Sequence, residues 1–447
     1  MTASHLSKRL KFLILLLIFS VSLLLRIEYI RNTVVDVPIR ADAKQYVTYG
    51  YNLARFGVFS KTYPSESPKP DSFRSPGYPL LIAASFFIAG TKNFYLLTLY
   101  TQAVLSALIV LLTYFIGRKF LPFNWAIAGA ICVALCPHQV SIAGYLLTET
   151  LFGFLLHAGI LCFLIGVGRR SYPWFFISAV FWSGAYLTNE TALFLPFIFG
   201  VILLFFMGTS LSKIDKKILL PRLMLFFIVF SLAPAIWTVR NKVNLPPDAS
   251  KASERAMSTM SHGAYPGFIY KNPKFKYFPY REDPMQPAFG SSLKKFGEIL
   301  WRRAKERPWR YFTWYFFEKP YYFWSWNILQ GQGDIYIYPV KISFYELSRF
   351  ANFTRNIMKA LHLPAIFLAF ASLPLIIIKN TYPGKSLKTG YFLFILTIGI
   401  YYTLLYMVFA PWPRYSVPLR PELYLCALWT LHEYWKFMGK YFKNQSN

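Results

Sequence analysis

The sequence is poor in charge and especially poor in acids. Only 15% of its 447 residues are charged, with 19 acids against 48 lysines and arginines, whereas an ordinary soluble domain has about 25% charged residues. Hydrophobic residues make up 55% of the chain and aromatic residues 20%. This composition excludes an ordinary soluble domain and predicts an integral membrane protein of the all-α class.

Several signatures of soluble enzymes are also absent. The chain has no P-loop, no complete Gly-x-Gly-x-x-Gly, no Cys-x-x-Cys and no His-Glu-x-x-His motif, and Gly331 and Gly333 form only a fragment of a glycine pattern. These absences argue against a nucleotide site. The four cysteines lie in or beside apolar segments, where packing is their expected role.

Apolar runs approach the roughly 20 residues that a helix needs to cross a bilayer. They lie at 11–30, 94–116, 150–167, 191–208, 220–237, 354–378 and 391–410. The net charge of +29 is dispersed beside these runs, which argues against nucleic acid as a partner. Because Lys and Arg mark the cytoplasmic side, we predict about ten or more transmembrane helices, with both termini cytoplasmic. The external loops are then 31–93, 143–150, 188–191, 238–350 and 411–418.

Two of these external loops are long. Residues 79–90 are too short to span a bilayer, so they are predicted as an interfacial helix inside loop 31–93. Loop 238–350 is rich in aromatic and basic residues, as in "RPWRYFTWYFFEKPYYFWSW", and is predicted to form peripheral helices at the headgroup zone. The predicted division is an N-terminal transmembrane module (1–240), an external region (241–350) and C-terminal transmembrane helices (351–447).

Three acids are predicted at the outer mouths of apolar segments, namely Asp42, Glu149 and Glu190. An ionisable group is costly at that depth, so each is a candidate for function. Asp42 heads an amphipathic pattern with Gln45 three residues on, as in a capping box, and helix capping alone would also explain it. Glu149 would equally suit the first turn of its helix, and Glu190 a tight turn between two spans.

Three arginines are predicted on the same external side. Arg74 precedes Ser-Pro-Gly-Tyr-Pro, Arg240 lies in "WTVRN" and Arg414 in "PWPRYSVPLRP". Guanidinium groups bind phosphate oxygens in a fork, so together with two acids they would suit a lipid whose phosphate headgroup reacts there. Each arginine alone could equally anchor to lipid headgroups. His138 and His157 lie within apolar segments and are expected to be hydrogen-bonded packing residues.

The order of these features resembles a known family. The stretches "RADAKQYVTYGYNLARFGVFS…FRSPGYPLLIA", "YLLTETLF", "PAIWTVRN" and "PRYSVPLRPELYL" are similar to bacterial members of glycosyltransferase family 39. That family contains protein O-mannosyltransferases and the aminoarabinose transferases of lipid A, and it belongs to the multi-spanning C-type glycosyltransferases. The resemblance covers most of the chain and is weakest in 250–345.

The resemblance implies roles for individual residues. Asp42 matches the catalytic base of the first external loop, and Glu149 matches a second acid near the site. Arg74 takes the place of the residue that binds the donor phosphate, and Arg414 and Tyr415 match an Arg-Tyr pair before the last span.

Further residues complete the predicted site. Arg240 is predicted to join the phosphate-binding arginines, and the pocket is predicted to include Tyr46, Tyr78, Tyr415 and Glu190. The sequence leaves open whether a divalent metal ion binds at this site. Protein mannosyltransferases usually have an Asp-Glu pair in the first loop, whereas Ala43 follows Asp42 here, which leaves the acceptor open among protein, lipid and glycan.

The implied reaction is sugar transfer from a polyprenyl-phosphate donor to an acceptor hydroxyl, with inversion, on the periplasmic face of a bacterial inner membrane. A phosphate leaving group needs charge neutralisation rather than protonation, so a single displacement requires one carboxylate as base. The alternatives are a lipid-linked-sugar flippase or secondary transporter, which usually places its polar site near the midplane, and a structural membrane scaffold.

Overall fold

A computed structural model describes residues 7–62, 67–208, 216–269, 283, 285–290, 292–329, 331–380 and 387–445. The described chain is almost entirely helical. Its α-helices are α1 (Lys8–Asn32), α2 (Ala41–Phe56), α3 (Gly77–Gly117), α4 (Phe123–Leu135), α5 (Pro137–Ile142), α6 (Glu149–Arg169), α7 (Tyr172–Thr188), α8 (Leu195–Gly208), α9 (Lys216–Asn244), α10 (Ala252–Ala264), α11 (Gln286–Phe289), α12 (Leu293–Glu306), α13 (Pro308–Thr313), α14 (Lys319–Trp324), α15 (Phe344–Leu347), α16 (Arg349–Asn380), α17 (Leu387–Val408) and α18 (Arg420–Gln445).

Shorter elements join these helices. Short 3₁₀ segments occupy Glu190–Ala192, Pro266–Ile269 and Pro413–Leu419, and a π-helical turn occupies Trp314–Glu318. The strands β1 (Val34–Val35) and β2 (Val340–Ile342) pair in an antiparallel arrangement. This small sheet connects two loops that lie about 300 residues apart in the chain.

Six of the described helices are long and apolar enough to cross a membrane. They are Lys8–Asn32, Gly77–Gly117, Glu149–Arg169, Lys217–Asn244, Arg349–Ile378 and Leu387–Val408. Between them lie the shorter apolar helices Phe123–Leu135 and Glu190–Leu204. These helices make the chain a multi-pass membrane protein, while the larger number of about ten spans and the cytoplasmic termini stay predictions.

Helix α3 is interrupted at Gly90. The backbone there has φ 67° and ψ −178°, a conformation that glycine adopts without steric cost and other residues avoid. Residues 77–89 therefore form a short helix distinct from the long apolar helix that follows. The sequence prediction of a separate short helix over 79–90 agrees with this break, and its placement at the membrane interface stays a prediction.

The loop between α9 and α16 folds onto the rest of the molecule. Its described parts contain helices α10 to α15, and Trp314 is buried with its indole N–H donating to the Gly263 carbonyl at 2.9 Å. Lys319 is also buried, and its ammonium donates to the Met407, Val408 and Phe409 carbonyls at the end of α17. These contacts satisfy backbone groups that a helix end leaves unpaired. The division of the chain at residues 240 and 350 stays a prediction.

Two apolar cores hold the site in place. The larger core lies among the long helices and includes Ile109, Phe163, Trp182 and Phe394. The smaller core lies under the start of α2 and consists of residues from α2, α3, the segment before α6 and the loop around 337, among them Ala43, Tyr46, Tyr78, Tyr145 and Tyr338. Because these segments come from distant parts of the chain, packing rather than local sequence decides what meets at α2.

Candidate active site

Helix α2 presents Asp42 from its first turn. Its buried face carries Ala43, Tyr46 and Tyr49 at helical spacing, while Lys44 on the opposite side is exposed. The helix begins after Arg40, with no side-chain capping bond at its N-terminus. The capping explanation of Asp42 is therefore wrong. Its carboxylate turns toward two arginines because their charges compensate it better than a backbone amide would.

Asp42 lies between Arg74 and Arg414. Nη2 of Arg74 donates to Oδ1 at 2.6 Å, and Nη2 of Arg414 donates to Oδ2 at 2.5 Å. The Asp42 side chain is 19% exposed, and each arginine side chain is 9% exposed. Nε of Arg414 also lies 3.0 Å from Oε1 of Glu149, which is buried behind it. The four side chains form a continuous chain in which guanidinium and carboxyl groups alternate.

The arginines keep Asp42 ionised. Burial by itself would raise the pKa of the Asp42 carboxyl, but Arg74 and Arg414 outweigh burial and lower the pKa well below its usual range. Burial lowers the pKa of Arg74, while Tyr46 and Asp42 raise it further, so that the net shift is upward. Asp42 is therefore a carboxylate at neutral pH, with its negative charge shared between two guanidinium groups.

Asp71 organises the loop that delivers Arg74. Its buried carboxylate accepts the hydroxyl of Tyr49, the Lys61 amide at 2.7 Å and the Phe73 amide at 3.0 Å. Nε of Arg74 then donates to Oε1 of Gln45 at 2.7 Å, on the same helix as Asp42. The loop and α2 are thus joined by hydrogen bonds at Asp71 and at Arg74.

The Ser-Pro-Gly sequence after Arg74 fixes the start of α3. The Ser75 hydroxyl donates to Glu190, and Pro76 precedes the first residue of the helix. A Cβ atom at Gly77 would lie 2.6 Å from the hydroxyl oxygen of Thr188, so only glycine permits this approach of α3 to the end of α7. The motif therefore brings Arg74 and Glu190 to the same region.

Arg414 and Tyr415 lie in the 3₁₀ segment between α17 and α18. The Arg414 guanidinium lies 5.1 Å from the Tyr415 ring, and the Tyr415 and Tyr406 rings stack at 5.2 Å. The buried Trp412 precedes them. Proline at 413 and 418 favours this tight segment over a continued α-helix.

A cavity of about 1070 Å³ opens beside the Asp42 carboxylate. Its walls include Asp42, Tyr46, Arg74, Glu190, Arg255, Tyr338, Arg414 and Tyr415. Polar groups at its wall also come from Gln45, Thr148, Asn189 and Thr259, and apolar ones from Phe194, Leu405 and Phe409. The cavity therefore combines fixed charges with an apolar side, which suits an amphiphilic ligand.

Three residues predicted for the site lie outside this cavity wall. Glu149 is behind Arg414, and Tyr78 is behind Tyr46, with its hydroxyl donating to Gln102 at 2.7 Å. Arg240 donates to the Asp71 carbonyl at 2.8 Å and lies 4.9 Å from the Trp237 ring. Arg240 therefore supports the loop that contains Asp71. The prediction that Arg240 faces the donor phosphate is corrected, because this loop already holds its guanidinium.

Sequence reasoning missed Arg255 and Tyr338. Arg255, on α10, donates to Glu190 and lies 5.9 Å from the Phe73 ring, which Arg74 also approaches at 5.5 Å. Arg255 is one of many basic residues in a loop without a recognisable motif, so no local signal marks it. Tyr338 approaches α2 from almost 300 residues away.

The two candidate histidines are buried and hydrogen-bonded, as expected. Nε2 of His138 lies 2.7 Å from the Trp326 carbonyl oxygen. Nδ1 of His157 lies 2.6 Å from the Gly153 carbonyl oxygen, and its Nε2 lies 2.9 Å from Oε1 of Glu422. Both therefore serve packing between helices.

The described residues do not suit a divalent ion. No group of three His, Cys, Asp or Glu side chains among them is arranged to hold a metal. Asp42, Glu149 and Glu190 each already bind an arginine, and a metal would have to compete with that charge.

Comparison with known proteins gives one family match. Residues 70–237 match the family described as dolichyl-phosphate-mannose-protein mannosyltransferase. No curated protein sequence matches the chain. The matched segment includes Arg74, Glu149 and Glu190 and ends before α10.

Several solved structures align with this chain. The archaeal oligosaccharyltransferase AglB from Archaeoglobus fulgidus, in complex with an inhibitory peptide and a dolichol-phosphate, aligns with a TM-score of 0.52 at 11% identity over 93% of this chain. The chain spans about half of that protein, 50% of its length. The S. cerevisiae protein O-mannosyltransferase Pmt1-Pmt2 complex bound to the sugar donor aligns at 0.43, with 18% identity over 59% of this chain and 37% of that one.

A third structure is ArnT from Cupriavidus metallidurans bound to undecaprenyl phosphate, with a TM-score of 0.38 and 12% identity over 92% of this chain and 76% of that one. The TM-scores of these last two structures are too low to show a shared fold. The chain shares its helical fold with the archaeal oligosaccharyltransferase, and its long apolar helices are those of a multi-pass membrane protein. The family match confirms the resemblance to the family-39 glycosyltransferases that the sequence motifs indicate.

Proposed function

We propose that this protein is a glycosyltransferase that moves a sugar from a polyprenyl-phosphate donor to an acceptor hydroxyl. The observation that carries the proposal is the Arg74–Asp42–Arg414 arrangement at the wall of a cavity of about 1070 Å³. The family match, and the dolichol-phosphate named in the complex of the structural relative, support a lipid-phosphate donor.

The donor phosphate binds Arg74 and Arg414, with Arg255 as a further cation at the same cavity. A phosphate oxygen suits a guanidinium fork as a carboxylate oxygen does. The phosphate therefore takes over arginine N–H groups that Asp42 holds in this structure. This exchange frees the carboxylate and weakens the interaction that lowers its pKa, which makes Asp42 a stronger base when donor is bound.

Asp42 then accepts the proton of the acceptor hydroxyl. The hydroxyl oxygen forms a bond to the anomeric carbon while the bond from that carbon to the phosphate oxygen breaks. The leaving polyprenyl phosphate keeps the electron pair and gains negative charge, which the arginines stabilise. A single displacement of this kind inverts the anomeric centre, and the phosphate needs no proton from a second carboxyl group.

The remaining site residues hold these groups. Glu149 orients Arg414 through its contact with Nε, and Glu190 orients Arg255. Tyr46 and Tyr415 pack against Arg74 and Arg414, at 5.0 Å and 5.1 Å from the guanidinium carbons. Cation–π contacts of this type restrict the orientation of an arginine.

Tyr78 and Arg240 act one layer further out. Tyr78 supports Tyr46 from behind at 5.1 Å between ring centroids, and Arg240 supports the loop of Asp71. Neither is expected to touch the donor.

The proposed setting is the periplasmic face of a bacterial inner membrane. Asp42, Arg74 and Arg414 lie in loops that the distribution of Lys and Arg assigns to the external side. A nucleotide-bound sugar is not expected there, whereas a lipid-linked donor reaches the site within the bilayer. The apolar wall around Phe194 and Leu405 suits the start of its hydrocarbon chain.

The test is transfer by purified protein in lipid nanodiscs, with a radiolabelled polyprenyl-phosphate sugar and a cell-envelope extract as acceptor source. We expect label in the acceptor fraction and free polyprenyl phosphate as the second product. The same protein in sealed vesicles distinguishes a flippase, which would move the labelled lipid across the bilayer without cleaving it. A scaffold would do neither.

Mass spectrometry of envelope glycans from cells with and without the protein identifies the sugar and the acceptor together. The loss of one glycan from a protein, a lipid or a polysaccharide names the acceptor class. An unchanged set of envelope glycans in cells lacking the protein would contradict the proposal.

A further inference from the structure

The loop around residue 338 reaches the start of α2 through the small sheet. Val35 pairs with Val340, and the Asp36 amide donates to the Pro339 carbonyl at 2.9 Å. The loop that contains Asp42 and the loop that contains Tyr338 are therefore joined immediately before both residues reach the cavity. The sheet places Tyr338 beside α2 although almost 300 residues separate them.

One hydroxyl group bridges the backbone on both sides of Asp42. The Tyr338 hydroxyl donates to the Arg40 carbonyl at 3.2 Å and accepts from the Ala43 amide at 3.3 Å. The ring is held edge-to-face against Tyr145 at 5.5 Å between centroids. Tyr338 thus supplies the N-terminal contact that no side chain at the cap position of α2 provides.

The bridged segment has a strained backbone. Ala41 has φ 45°, in the left-handed region that residues with a Cβ rarely adopt. Such a conformation persists only where surrounding contacts enforce it. Tyr338 contacts the residue before Ala41 and the second residue after it, and the Lys44 amide also donates to the Arg40 carbonyl at 3.2 Å.

Burial raises the pKa of Tyr338, and the nearby Asp42 charge raises it further. The hydroxyl therefore keeps the proton that it donates to the Arg40 carbonyl. The bridge is present at any pH at which the enzyme would operate.

We propose that Tyr338 is a positioning residue that fixes Asp42 by clamping the strained Arg40–Ala43 backbone. This inference rests on the proposed function for its effect on catalysis. Without the Tyr338 hydroxyl, Ala41 relaxes to a negative φ. The carboxylate of Asp42 then turns away from the geometry shared with Arg74 and Arg414. The acceptor hydroxyl then meets the base less often in a reactive position.

The experiment compares Tyr338→Phe with Tyr29→Phe. Both remove one hydroxyl from a buried tyrosine and keep the ring, and Tyr29→Phe removes the contact with the Tyr145 hydroxyl at 3.2 Å. We expect Tyr338→Phe to lower kcat about tenfold or more with little change in the donor KM, and Tyr29→Phe to leave kcat near the wild-type value. Equal kcat in the two variants would overturn the proposal.

A second substitution tests the strain directly. Glycine adopts positive φ as readily as negative φ, so Ala41→Gly in the Tyr338→Phe background is expected to restore part of the lost kcat. A general loss of folding would lower the Tm without this recovery. A kcat that stays low in the double variant would place the defect outside the Arg40–Ala43 backbone and overturn the proposal.

Hydrogen exchange tests the clamp without any substrate. Peptides covering 40–46 should exchange faster in Tyr338→Phe than in Tyr29→Phe, because the Ala43 amide loses its acceptor. Unchanged exchange overturns the clamp even if the wild-type protein transfers sugar. Faster exchange in a protein without transferase activity would keep the clamp and reject the proposed function.

Discussion

Replacing Asp42 with asparagine should abolish transfer and yet tighten the binding of polyprenyl phosphate. In this structure Asp42 holds one N–H group of Arg74 at 2.6 Å and one of Arg414 at 2.5 Å. The donor phosphate must take over at least one of these contacts. Asparagine has nearly the same shape but no charge, so it competes far less for the arginines.

The structure sets the size of both effects. A hydrogen bond to a charged group contributes about 1.5–3 kcal/mol, so removing one competing contact should tighten phosphate binding about 10- to 100-fold. Loss of the general base should lower kcat about 10²- to 10⁴-fold. The unpaired arginines should also lower the Tm of the free variant, and bound polyprenyl phosphate should restore much of it.

The assay combines equilibrium binding of a fluorescent polyprenyl phosphate with single-turnover transfer in nanodiscs. Asp36→Asn is the matched control, because Asp36 lies in the same loop and its carboxylate pairs with the exposed Lys341 at 2.9 Å. The control should change neither quantity. Weaker phosphate binding in Asp42→Asn would refute the competition, and near-normal turnover would remove Asp42 as the base.

Three further substitutions and one titration test the other roles. Arg74→Ala should raise the donor KM and leave acceptor affinity unchanged in steady-state kinetics, and an unchanged donor response would contradict its phosphate role. Glu149→Gln should also raise the donor KM, by less, because Arg414 keeps its contact with Asp42. Arg240→Ala should lower the Tm in thermal scans without changing the donor KM, since it supports the loop of Asp71. The difference in free energy of unfolding between wild type and Asp42→Asn should be constant from about pH 5 to 8 and shrink below about pH 4. The reason is that the lowered pKa of Asp42 preserves its ion pairs until the carboxyl is protonated. A difference that already fades near neutral pH would contradict this.

The sequence motifs predicted several site residues for a physical reason. Acids are rare in this chain, so Asp42 and Glu149 stand out at the edges of apolar segments where a charge must be compensated. Arg74 stands out because Ser-Pro-Gly follows it and marks a sharp entry into a helix. The structure brings Asp42, Arg74 and Arg414 together at one cavity, and their chemical roles stay predictions.

Other residues could not be placed from sequence. The position of Arg240 at the end of a helix shows only how far its side chain can reach, and the loop of Asp71 decides that it turns away from the cavity. The capping pattern at Asp42 and Gln45 was equally misleading. Both side chains bind Arg74 instead, because a hydrogen bond to a charged guanidinium is stronger than one to a backbone amide.

Composition and hydrophobic run length are local properties, so the amino-acid sequence alone predicts the membrane class, the apolar helices and the short list of charged residues worth testing. Tertiary packing settles which of those charges meet, places Glu149 behind Arg414, and brings Arg255 and Tyr338 to the cavity. Contacts between residues as far as 372 positions apart, such as Asp42 and Arg414, depend on how the helices and the small sheet pack, and no local pattern carries that information.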